Sequence, residues 1–101
     1  MVRRVIWTQK ALADLRSIKD YIARDSQRYA QIQVERIRSA AAQAGHFPNM
    51  GRPVPEFPDE PWREVLTGNY RVIYRPDPAE DRVVVLAVVH GMQLLWEPMI
   101  R

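Results

Sequence analysis

The stretch from Asn69 to Arg75, NYRVIYR, sets two guanidinium groups four residues apart in what reads as a β-strand. Side chains alternate faces along a strand with period two. Arg71, Ile73 and Arg75 therefore share one face, and Tyr70, Val72 and Tyr74 the other. A guanidinium is a planar fork of donors matched to phosphate or carboxylate. The pair is suited either to a bound anion or to acids of the same sheet. Arg63 and Glu64 sit side by side in WREV, Glu56 closes GRPVPE, and His90 ends the apolar run VVVLAVV. Histidine is the side chain that titrates nearest neutral pH, which suits acid–base work. The structural alternative for His90 is a hydrogen bond to a turn backbone, and for His46 a place at a helix C-terminus beside the dipole.

Several chemistries are excluded by composition. The chain has 101 residues and no cysteine, so a disulfide framework, a thiolate metal site and a cysteine nucleophile are all ruled out. Two histidines without ligand spacing make no metal site expected, and no cofactor is called for. The four glycines are dispersed, so no phosphate-cradling loop is seen. The serines lie in or beside helices without an elbow motif. The apolar run Val83 to Val89 is far short of the ~20 residues that cross a bilayer. The apolar N-terminal stretch is too short for a signal peptide. A cytoplasmic protein with no membrane contact is the expectation. The net charge is +3, and thirteen of the fifteen basic residues are arginine, a composition compatible with an acidic partner.

The elements that must position these residues are legible in the pattern. Val2 to Trp7 reads as a strand. Thr8 is an N-cap, after which Leu12, Leu15, Ile18 and Ile22 form one helical stripe to about Arg24. Ser26 caps a second helix, with Ala30, Val34, Ile37, Ala41 and Ala44 in register up to Gly45, read as a C-terminal stop. The short link makes the two helices an antiparallel hairpin. Residues 45–61 carry five prolines and two glycines, which excludes helix and central strand. Phe47, Met50, Val54 and Phe57 are available to anchor this connection. A meander follows: Trp62 to Leu66, a turn at 67–69, Tyr70 to Arg75, a turn from Pro76 to Asp81, and Arg82 to His90. Val83 to Val89 lacks alternation, the mark of an interior strand covered on both faces. The expected fold is a single α+β domain over residues 1–101. It places an N-terminal strand and an antiparallel helical hairpin on a mostly antiparallel sheet, in the order β-α-α-β-β-β.

That order, with the motifs WTQKALADLRSIKDYIARDS, HFPNMGRPVPE, WREVLTGNYRVIYR and VLAVVHG, resembles the RelE/ParE superfamily of bacterial type II toxin–antitoxin toxins. The resemblance spans nearly the whole chain. It implies a growth-inhibiting toxin, of the kind found in plasmid stabilisation systems, neutralised by a cognate antitoxin and meeting DNA only through it. The superfamily uses one fold for two activities, inhibition of DNA gyrase and ribosome-dependent cleavage of mRNA.

Under the nuclease reading, Arg71 resembles the phosphate-stabilising arginine of the tyrosine-arginine-x-x-tyrosine strand. Arg75 shares its face and Arg63 is expected to reach the same area. Glu56, which resembles the glutamate after the proline-rich loop, or Glu64 would be the base, and His90 the acid. Attack by a 2′-hydroxyl needs such a base, cations for the developing charge and an acid for the leaving oxygen. Nucleases of the group carry an arginine after the last strand and then a tyrosine or histidine. Met92, Gln93 and Trp96 stand in that region here. That gap and the long helical hairpin favour the gyrase-inhibiting branch. An mRNA endonuclease is the alternative, and a toxin homologue that has lost activity but still binds its antitoxin is a further one. Trp96, Leu94, Leu95 and Met99, in an apolar tail beyond the last strand, are expected to offer a partner surface. Trp7 is expected in the core, and Arg71→Ala is expected to leave the fold intact.

Overall fold

The computed structural model describes residues 3–100. Met1, Val2 and Arg101, and with them the expected start of the first strand, lie outside the described residues. The chain order is β1 (Arg4–Trp7), α1 (Gln9–Ala23), α2 (Gln27–His46), β2 (Arg52–Pro53), β3 (Arg63–Thr67), β4 (Tyr70–Asp77) and β5 (Arg82–His90). The five strands form one sheet in the order β1-β5-β4-β3-β2. β1 runs parallel to β5 and the other neighbours are antiparallel.

Both helices start at the expected caps. Thr8 Oγ1 accepts from Ala11 N at 3.0 Å and Ser26 Oγ from Tyr29 N at 3.1 Å, satisfying amides that have no partner inside the helix. The hairpin packs on one sheet face. Ala11, Leu15, Ile37, Ala40 and Ala41 meet Val72, Val85 and Val88, with Trp7 partly buried beside them. The small alanines of α2 let the helix approach the strands closely, down to Ala44 against Tyr74 and Val83. Gly45 serves this close approach and is not the helix stop expected of it. α2 continues to His46, and a Cβ at Gly45 would lie 2.7 Å from Val5 Cγ2 and 3.1 Å from Arg3 O. β1 leaves no room there for a side chain.

The opposite sheet face is also covered. The proline-rich connection and the C-terminal tail bury Val54, Trp62, Leu95 and Ile100 against Ile73, Ala87 and Val89. The connection contains the short edge strand β2, a position that tolerates Pro53 because one flank needs no ladder bond. β4 runs two residues further than expected, through Pro76 to Asp77. β3 starts only at Arg63, paired with Tyr74, so Pro76 also has an unpaired flank.

The missing alternation of β5 has two causes. The strand is interior and both its faces are buried, and it carries a bulge. Ile73 pairs with Ala87 while Tyr74 pairs with Val85, leaving Leu86 without an opposite residue. A one-residue bulge inverts the facing of everything after it. Val83, Val85 and Val88 consequently all face the helices, whereas Ala87 and Val89 face the tail.

Candidate functional site

Arg71 lies on the tail-side face of β4 and is only 5% exposed. All five of its N–H donors are taken. The guanidinium is bidentate to Glu56, with Nη1 to Oε2 and Nη2 to Oε1 both at 2.8 Å. Nε donates to Glu64 Oε1 at 3.0 Å, and Nη2 also donates to that oxygen. The remaining Nη1 donor reaches the carbonyl of Gln93 at 3.3 Å. Arg52 Nε bonds the other Glu64 oxygen at 2.6 Å, and Glu56 Oε2 accepts from Leu95 N at 3.1 Å. Two arginines and two glutamates thus make a network of balanced charge. It joins the proline-rich connection, β3, β4 and the tail.

The electrostatics follow from this geometry. The hydrogen bonds from Arg71 outweigh the desolvation that opposes them and lower the Glu56 carboxyl to about 2 from its ordinary value of 4.5. Reciprocally, the Glu56 bonds raise Arg71 further above its already high value, with burial opposing and Glu64 adding to the rise. Removing either partner would leave an uncompensated charge in a largely buried place.

The six residues expected around a phosphate do not converge. Arg71, Glu56 and Glu64 come together, but as mutual partners. Arg63 is a correction: it pairs across the ladder with Tyr74 and so points to the other face. There Arg63 Nη1 donates to the carbonyls of Gly51 at 2.6 Å and Asn49 at 3.4 Å. Arg75 shares the Arg71 face, as expected, and its Nη1 lies 3.7 Å from Asp77 Oδ2. His90 pairs with Tyr70, on the helix-side face, and their rings meet edge-on at 5.8 Å. Its Nδ1 accepts from Met92 N at 3.2 Å. Val88 shares that face, but Val84, before the bulge, does not. The sheet separates the imidazole from the Arg71 guanidinium. Among the described residues no group of three or more acidic or histidine side chains is placed to hold a metal ion, and no helix is long and apolar enough to cross a membrane.

The four tail residues divide by alternation. Leu95 is buried and Met99 packs beside it, whereas Leu94 is 82% and Trp96 63% exposed. The backbone between them is held by the bonds from Arg71 to Gln93 O and from Leu95 N to Glu56. Sequence reading missed this connection. The proximity of WREV, GRPVPE and NYRVIYR in composition gave the ingredients, but only their pairing in space shows that the glutamates answer the arginine.

Comparison with known proteins agrees with this architecture. Residues 5–95 match the family model described as ParE toxin of type II toxin–antitoxin system, parDE. The curated Toxin RelE2 of Caulobacter vibrioides is 43% identical over 49 residues, which are 48% of this chain and 56% of that protein. The match thus spans little more than half the relative's length. Among solved structures, the RelBE2 toxin–antitoxin complex of Mycobacterium tuberculosis superposes with a TM-score of 0.64 at 25% identity, covering 89% of this chain and 99% of the other. A chain of the chromosomal ParDE system of P. aeruginosa gives 0.72 at 21% identity, with 88% and 96% covered. The latter likeness concerns the fold alone.

Proposed function

The chain belongs to the ParE toxin family of type II toxin–antitoxin systems, within the RelE/ParE superfamily, and from that premise we propose that it acts by binding and inhibiting DNA gyrase, without chemistry of its own. The observation that carries this reading is the state of Arg71. A cation that stabilises a phosphorane must present free donors to the reacting phosphate. Here every donor is spent on Glu56, Glu64 and Gln93. The histidine that would serve as acid faces the other side of the sheet. The competing reading, a ribosome-dependent mRNA endonuclease, requires Arg71 to surrender two carboxylates before it meets RNA.

A cognate antitoxin is the second element of the proposal. Leu94 and Trp96, held outward on a backbone anchored by charge, supply apolar surface of the kind partner segments cover. Two measurements on toxin expressed without antitoxin test the target. Loss of supercoiling by purified gyrase at stoichiometric toxin, with cellular mRNA ends unchanged, is the expected pair of results. Codon-positioned mRNA cleavage with supercoiling unaffected would establish the endonuclease instead.

A further inference from the structure

The run from Val83 to Val89 is apolar throughout, without charge, proline or glycine. Such a segment pairs readily between molecules when one of its flanks is open. In β5 one flank is open for about half the strand. β1 pairs only with Arg82 to Val85, whereas β5 continues to His90. Among the described residues no strand lies beside Leu86 to His90 on that flank. At about 3.3 Å per residue the open stretch is roughly 16 Å long. A trough of about 420 Å³ runs beside it, lined by Asp14, Ser17 and Tyr21 of α1 and by Tyr70, Val88 and His90 of the sheet. Side chains stand where a strand would. Thr8 Oγ1 donates to the Leu86 carbonyl at 3.3 Å, and Asp14 Oδ2 accepts from Val88 N at 3.0 Å. Lys10 Nζ lies 2.6 Å from both Asp14 oxygens and holds the carboxylate in place. Thr8 is already needed as the cap of α1. Asp14 has no such duty, and aspartate is a poor former inside a helix.

We propose that Asp14 is an edge guard: it occupies the Val88 N–H that a second copy of the chain would otherwise pair with, and so keeps two sheets from joining through β5. The excluded occupant is a second copy because the edge is self-complementary. A strand residue's C=O points to the same flank as its N–H. Two β5 strands related by a two-fold axis at Val88 would therefore bond each other's Val88 in both directions, making one continuous antiparallel sheet. Asp14 opposes this in two ways. It fills the donor at the centre of the pairing, and it sets a charged group beside the open flank, a device by which natural sheets blunt their edges. The Lys10 pair adds a second charge at the same rim. The inference stands apart from the choice of cellular target.

The test uses the purified full chain, with light scattering over a range of concentrations for assembly and NMR amide exchange at Val88 for the bond itself. The native protein is expected to be monomeric with a protected Val88 amide. In Asp14→Ala that amide should exchange about tenfold faster, and dimers or larger species should form that dissociate on dilution. Asp14→Asn keeps an acceptor oxygen and should stay monomeric, as should Lys10→Met, which keeps the carboxylate. Adding Ser17→Lys to Asp14→Ala places a charge in the trough and should restore the monomer, although Val88 N remains without its acceptor. The proposal is overturned by a monomeric Asp14→Ala protein, by Asp14→Asn associating as strongly as Asp14→Ala, or by a native protein that already dimerises through β5. Association of Asp14→Ala that persists with Ser17→Lys in place marks unfolding instead of edge pairing, and overturns it equally.

Discussion

Replacing Arg71 by alanine would strand the Glu56 carboxylate beneath the tail without its counter-charge and leave the buried Glu64 only the half-exposed Arg52. Breaking a buried ion pair from one side costs about 3–5 kcal/mol, a large share of the 5–15 kcal/mol typical of a small domain. The expectation that Arg71→Ala leaves the fold intact is therefore replaced by the opposite one. Urea unfolding is expected to show that loss, and loss of toxicity in this variant would report instability before mechanism. Removing the charges together, as in Arg71→Met with Glu56→Leu and Glu64→Leu, should cost less than Arg71→Ala alone, because the only charge left without its partner is the solvent-exposed Arg52. The same network sets an acid limit. Glu56 is depressed when folded, so its contribution is complete above its unfolded value of 4.5 and disappears as pH falls toward about 2. Stability measured by denaturant at stepped pH should fall through that window, and Glu56→Gln should flatten this part of the curve.

At the level of elements, the proline-rich connection is held to the sheet by the pairing of β2 with β3 and, on either side of it, by the Glu56 clasp and the turn at Gly51. Gly51 N donates to Tyr74 Oη at 3.0 Å, and that hydroxyl donates to Pro48 O at 2.7 Å. A Cβ at Gly51 would lie 2.7 Å from Tyr74 Oη and 2.8 Å from Glu64 O. Gly51→Ala must therefore move either a buried tyrosine or the β3 backbone. A loss of about 1–3 kcal/mol is expected, or roughly 4–8 °C in melting temperature per kcal/mol, readable by thermal circular dichroism. The sequence showed this glycine only as one of two in the proline-rich connection, not the reason for it. Its constraint comes from a tyrosine 23 residues away.

For the whole molecule, the sheet is a partition with an apolar core on each side, the helical hairpin closing one and the connection and tail the other. Leu95→Ala should open a cavity in the second core and cost about 2–5 kcal/mol. Leu94→Ala and Trp96→Ala, a residue away on the exposed side, should stay within about 0.5 kcal/mol while weakening antitoxin binding. Paired thermal melts and pull-down with the antitoxin separate the two effects.

The sequence by itself determined both helices with their N-caps and four of the five strands, because helical and strand periods and N-cap chemistry act over a few neighbouring residues, whereas the two-residue β2 shows only in its pairing with β3. It also sufficed for the resemblance to the toxin superfamily and for the fold class. Three things were decided only in the tertiary structure, each for a physical reason. The bulge at Leu86 depends on ladder pairing and turned His90 to the helix side, away from Arg71. The pairing of β3 with β4 sent Arg63 to the opposite face. The donors of Arg71 meet two glutamates and a tail carbonyl brought to it by long-range folding. Which donors of an arginine are free is a property of everything around it, and no spacing along the chain encodes that.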